Sequence, residues 1–133
     1  MEHSGVLPAK KRLVIKVGTA VLTQDGQFAI ERMGNLVDLI AKLKNEKKIE
    51  VILVSSGAVG AGYTSLKLDK KIIANKQALA AIGQPLLLKH YKKRFIEHGI
   101  MCAQMLFIAD DFDSRKRTKN AQNVMEILLE NNI

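Results

Sequence analysis

Twice in this chain a run of β-favouring apolar residues ends in glycine and hydroxyl side chains. The first is Val14-Ile15-Lys16-Val17-Gly18-Thr19; the second follows Glu50 to Val54 as Ser55-Ser56-Gly57-Ala58-Val59-Gly60-Ala61-Gly62. Near-continuous apolar runs of this length predict strands buried on both faces, the pattern of a parallel sheet covered by helices. Between the two runs, Ile30, Met33, Leu36, Val37, Ile40 and Leu43 fall at the three-and-four spacing of an amphipathic helix. Strand, helix and strand in that order form a crossover unit. Glycine at each strand end lets backbone N–H groups approach a ligand without Cβ interference.

The remaining elements extend this pattern. Arg12 to Val17 is the first strand, and Gln24-Asp25-Gly26-Gln27 is a turn. Residues from Ile72 to His98 predict a long helix with Leu79, Ile82, Leu86, Leu87, Phe95 and Ile96 on one side. Gly83-Gln84-Pro85 interrupts it and predicts a kink or break, because proline lacks an N–H and clashes with the preceding turn. Ile100 to Ile108 reads as a third strand and Asp110 to Lys119 as a polar connector, with Asp113 or Ser114 as N-cap of a last helix. That helix carries Val124, Ile127, Leu128 and Leu129. Asn131-Asn132 reads as its stop, and Ile133 as the first residue of a further strand. The order β-α-β-α-α-β-α predicts an α/β fold, a three-layer α/β/α sandwich with a mainly parallel sheet, incomplete at its C-terminus. Residues 1–11 read as a flexible leader and residues 12–133 as one domain.

Composition narrows the function classes. The formal charge is +8, but lysine and arginine are spread from Lys10-Lys11-Arg12 to Arg115–Lys119 rather than gathered in one stripe. Aromatic residues make up 5% and none is Trp, so platforms for stacking bases are poorly supplied and a nucleic-acid function is set aside. Attraction to anionic small molecules remains. No apolar run approaches the ~20 residues needed to cross a bilayer, and Met1 to Lys11 lacks the apolar centre of a secretory signal. The expected compartment is the cytoplasm. The one cysteine, Cys102, has no disulfide partner in the chain and reads as a buried strand thiol.

Among the chemistry-bearing residues, Lys16 has two readings. It is either an edge-strand lysine reaching solvent or a cation for phosphate. A lysine between Ile15 and Val17 on a central strand, with Gly18-Thr19 directly after it, favours phosphate. Ser55 and Ser56 either cap the next helix or share its N–H groups with a bound anion. Gly57-x-x-Gly60-x-Gly62 reverses the spacing of the dinucleotide fingerprint, and the G-x-x-x-x-G-K-[ST] phosphate loop is absent. His3, His90 and His98 lack metal-ligand spacing and read as surface residues. Asp110, Asp111 and Asp113 read as turn and cap carboxylates rather than a magnesium cluster, so no metal ligand is assigned.

The stretches Lys16 to Thr23, Ser55 to Gly62 and Asn75 to Gln84, with the connector Asp111 to Asn123, closely resemble the glutamate 5-kinase branch of the amino acid kinase family. The resemblance runs in order from Arg12 to Ile133. It implies ATP-dependent phosphorylation of the glutamate side-chain carboxylate to γ-glutamyl phosphate, the first step of proline biosynthesis, with ATP and Mg²⁺ required. It further implies that Lys16, beside the backbone of Gly18 and Thr19, meets the transferring phosphoryl group, and that Ser56, Gly57 and Ala58 hold L-glutamate. The implied partners are glutamate and ATP, proline as a candidate feedback inhibitor and further copies of the chain, with neither nucleic acid nor membrane. In the family, the grip on glutamate's amino end and the adenine site lie beyond the position of Ile133. The 133 residues therefore correspond to the first half of the kinase domain and are expected to be inactive alone. A non-catalytic binding module on the same fold is the alternative reading.

Overall fold

A computed structural model describes residues 10–107 and 109–133, so most of the expected leader lies outside the described residues. The chain divides into two units, Met1–Leu87 and Leu88–Ile133.

In the first unit, β1 (Arg12–Val17) leads into a one-turn helix α1 (Thr19–Leu22), then the hairpin of β2 (Thr23–Gln24) and β3 (Gln27–Phe28). Helix α2 (Ile30–Asn45) follows, then β4 (Glu50–Ser55), α3 (Ala58–Ser65) and α4 (Ile73–Ile96), which runs on into the second unit. β1 and β4 pair in parallel, with Leu13 opposite Val51, Ile15 opposite Leu53 and Val17 opposite Ser55. Parallel neighbours need a crossover, and α2 supplies it, burying Met33, Val37, Ile40 and Ala41 along the expected stripe. At the strand starts, Arg12 Nη2 lies 3.2 Å from Glu50 Oε1. The class is α/β.

The hairpin follows from its two turn residues. Asp25 (φ 53°) and Gly26 (φ 73°) both take left-handed backbone, the geometry that lets a two-residue turn match strand twist. Lys67 Nζ donates to the carbonyls of Gly26 at 2.9 Å and Tyr63 at 2.7 Å, tying the turn to the last carbonyls of α3.

Three expectations for this unit change. The strands are not buried on both faces, since Val14 is 59% and Val54 44% exposed. Among the described residues β1 and β4 pair only with each other, and the face that carries Val14, Lys16 and Val54 is exposed. Pro85 does not break α4, which is assigned without interruption from Ile73 to Ile96. An interior proline costs about 3 kcal/mol, and the full burial of Leu79 and Leu87 on either side offsets it. The buried stripe of α4 is Leu79, Gly83, Leu87, Tyr91 and Phe95, an unbroken four-residue spacing, whereas Ile82 and Ile96 face outward.

In the second unit the end of α4 stacks Tyr91 on Phe95, with centroids 6.4 Å apart. The helix closes through Gly99 (φ 70°), whose N–H donates to the Ile96 carbonyl while that of Ile100 reaches Phe95. The expected third strand does not form, as Met101 to Phe107 carries no regular structure and Ile108 lies outside the described residues. β-Favouring side chains supply propensity, but a strand also needs a ladder partner, and Met101 and Leu106 are mostly exposed. Cys102 is accordingly half-buried in an irregular segment rather than a buried strand thiol. A 3₁₀ turn (Ala109–Phe112) precedes α5 (Arg115–Glu130). Ser114 caps α5 as expected, its hydroxyl accepting from the Arg117 N–H at 3.1 Å. Only Leu129 of the expected apolar set is fully buried, and Asn131 with Asn132 (φ 63°) ends the helix.

Candidate functional site

Parallel pairing carries the ends of β1 and β4 to the same side of the sheet. The ladder continues one rung past the strands, where the Ser56 N–H donates to the Val17 carbonyl at 3.1 Å. Each strand then turns at once into a helix. Gly18 precedes α1 with ordinary extended backbone (φ −87°, ψ 171°), and Gly57 precedes α3 in the left-handed region (φ 114°). Two helix starts, each with N–H groups lacking intrahelical acceptors, therefore sit on hydrogen-bonded neighbours. Of the two, α1 has only four residues, so its dipole is weak beside that of eight-residue α3.

Glycine sets how closely the two turns approach. A Cβ built on Gly57 stands 3.1 Å from Leu22 Cδ1, and one on Gly60 stands 3.0 Å from Thr19 Cγ2 and 3.2 Å from Thr23 Oγ1. The first turn of α3 thus packs closely on α1, and an added methyl at either glycine would require a neighbouring side chain to shift. The residues expected to carry function, Lys16, Gly18, Thr19, Ser56, Gly57 and Ala58, come together at these two turns. The spacing roles of Gly60 and Leu22 were not legible beforehand. The row of small residues from Gly60 to Gly62 was their only signal.

Lys16 differs from expectation in one respect. Its side chain is exposed on the sheet face it shares with Val14 and Val54 rather than enclosed by packed groups. What singles it out is position, three residues before the first residue of α1. The capping reading of the serines is not realised: no side chain caps α3, and the Ser55 hydroxyl donates to the Ser56 carbonyl at 3.1 Å. Ser56 itself is exposed at the turn.

Electrostatic shifts lie elsewhere. Burial, then the Lys10 charge, lowers the Lys44 pKa against the pull of Glu50 near the strand starts. Burial, then Lys89 and Lys93, lowers that of His90. Burial pushes the Cys102 thiol up, opposed by Lys92 and a backbone hydrogen bond, which leaves it in its unreactive protonated form at neutral pH. Among the described residues no group of three His, Cys, Asp or Glu side chains converges on a metal position. Residues 16–23 and 55–62 contain no carboxylate, so the oxygens these turns present are hydroxyls and backbone carbonyls.

Residues 11–133 match the profile of the amino acid kinase family. The chain is 54% identical over 123 residues to a protein named glutamate 5-kinase from Wolinella succinogenes, covering 92% of this chain and 47% of that one. It is 49% identical over 128 residues to a glutamate 5-kinase from Leishmania donovani, covering 96% and 48%. A glutamate 5-kinase from Thermus thermophilus is 45% identical over 122 residues, covering 90% and 33%. The chain spans about half the length of the first two relatives.

Proposed function

The chain belongs to the amino acid kinase family, and we propose that it supplies the phosphate turn and the glutamate loop of an enzyme that phosphorylates the side-chain carboxylate of L-glutamate with ATP. In this reading Lys16, with the backbone of Gly18 and Thr19, holds the transferring phosphoryl group; Ser56, Gly57 and Ala58 hold glutamate. The observation that carries it is the shared rung, the Ser56 N–H on the Val17 carbonyl at 3.1 Å, which makes the two turns immediate neighbours.

The chemistry suits this sparse set of residues. The acceptor carboxylate, with a reference pKa of about 4.3, is already ionised at neutral pH, so no general base is needed. One carboxylate oxygen bonds to the γ-phosphorus while the bond to the bridging oxygen breaks, giving γ-glutamyl phosphate and ADP. The protein's task is to bring two anions into line and to oppose the charge spread over the transferred group. Lys16 supplies a full positive charge and the helix starts supply partial ones. Mg²⁺, when bound with the nucleotide, neutralises phosphate charge; no step is assigned to it here. Placement at the first step of proline synthesis, in the cytoplasm, rests on the family likeness. So do proline as a candidate inhibitor and self-association.

The test is glutamate-dependent ADP formation by the complete enzyme to which these turns belong, with hydroxylamine trapping the acyl phosphate as a hydroxamate. Lys16→Ala is expected to lower kcat by roughly 10²–10³-fold with an unchanged Tm, since the exposed side chain packs little. Absence of hydroxamate from the unaltered protein overturns the reaction, and near-normal turnover of the variant removes Lys16 from it.

A further inference from the structure

Helix α4 meets α3 backbone to backbone. A Cβ on Gly83 would fall on the Ala58 carbonyl oxygen and the Gly62 amide nitrogen, and a Cβ on Gly62 would fall on the Leu79 carbonyl. These are main-chain atoms, which cannot swing aside as the end of a flexible side chain can. Both glycines are buried, and Leu79, at the far end of the contact, is wholly buried. Ala58 is the first residue of α3 and directly follows Gly57, itself pressed on Leu22. The turn that carries Ser56 is thus gripped from two sides, by α1 at Gly57 and Gly60 and by α4 at Ala58 and Gly62.

We infer that Gly83 is a positioning residue for the glutamate loop: α4, through its glycine contact with Ala58, fixes where Ser56 and the first N–H groups of α3 stand. This inference rests on the proposed glutamate site. It also gives the Gly83-Gln84-Pro85 stretch a purpose. The glycine costs the helix about 1 kcal/mol in propensity, and a packing role that no other residue can fill accounts for its presence in a helix interior. Any added atom at position 83 must displace the start of α3, and with it the donors that meet the substrate.

Amide hydrogen exchange on the intact, unaltered protein, with and without saturating L-glutamate, tests this. Binding is expected to slow exchange at residues 56–62 and, in parallel, at residues 79–84 of α4, because the loop cannot open without releasing the helix. Protection at 56–62 that leaves 79–84 unchanged overturns the inference alone. No protection at 56–62 overturns the glutamate reading and this inference with it. As a second measurement, Gly83→Ala is expected to raise the KM for glutamate by about tenfold while changing that for ATP less than about twofold, since misplacing a substrate group by ~1 Å is costly. Gly62→Ala, whose added atom meets Leu79 rather than Ala58, is expected to give a smaller rise at comparable loss of Tm. Equal effects of the two variants on glutamate KM would reduce Gly83 to ordinary helix packing.

Discussion

Gly18 and Gly57 stand at the same place in two consecutive strand-to-helix turns, yet the folded chain makes opposite demands on them. Gly18 has backbone angles open to any residue, and a Cβ built on it meets nothing within 4 Å. Gly57 has φ 114°, is buried, and has Leu22 Cδ1 waiting at 3.1 Å. Packing alone accounts for glycine at position 57. It gives no reason for glycine at position 18, where the proposed phosphate site would supply one. The turn after Lys16 is open on its outer side, and the second turn is a packed corner with Ser56 exposed at its rim.

Substitution at the two glycines puts this contrast under the greatest strain. Gly57→Ala forces a side chain into left-handed backbone and is expected to destabilise the protein by roughly 1–3 kcal/mol, read as a lower urea midpoint. An unchanged midpoint would show that the corner is not packed as described. Next in size is Ser56→Ala, which removes a hydroxyl from the proposed glutamate site. A hydrogen bond to a charged group is worth about 1.5–3 kcal/mol, so the KM for glutamate should rise by at least about tenfold, with that for ATP much less affected. Parallel rises for both substrates would assign Ser56 to the fold rather than to the ligand.

Gly18→Ala should separate stability from activity. Because the native angles suit alanine, the variant is expected to gain about 0.4–1 kcal/mol of stability while kcat/KM for ATP falls. Retained ATP use would leave the open space without a ligand. The smallest effect comes from a control outside both turns. Burial, then Lys89 and Lys93, holds the His90 imidazole below its ordinary pKa, so the unfolded chain binds this proton more readily than the folded one. Stability should therefore fall as pH drops through about 6.5. His90→Gln should flatten that slope without altering either KM, and a slope unchanged in the variant would assign it to other groups.

What could be read in advance was local. Most of the α2 stripe, the turn at Asp25-Gly26, a cap at one of the two residues expected for it (Ser114) and the stop at Asn131-Asn132 each depend on a few adjacent residues and each appears, although Ile30 is exposed. The meeting of the two glycine turns was legible because parallel strands must end on the same side. Features set by distant partners were not. Ile100 to Ile108 has the composition of a strand, but no residue within it specifies the neighbour it would pair with. α1 is too short to show a period. The continuity of α4 through Pro85 depends on Leu79 and Leu87 finding burial, which spacing alone cannot rank against Ile82. Lys16 looked enclosed for the same reason: its sequence neighbours are apolar, while exposure is decided by which elements lie over the sheet.

The rung between Ser56 and Val17 has a consequence for how this region tolerates change. Neighbouring strands lie about 4.8 Å apart whatever their side chains, because amide geometry fixes the spacing. The separation of the two turns is inherited from that ruler rather than from loop length or composition. Substitutions that leave the strand ladder intact therefore keep this rung in place, while the packing of α1 and α4 on α3 sets where the rest of the second turn stands.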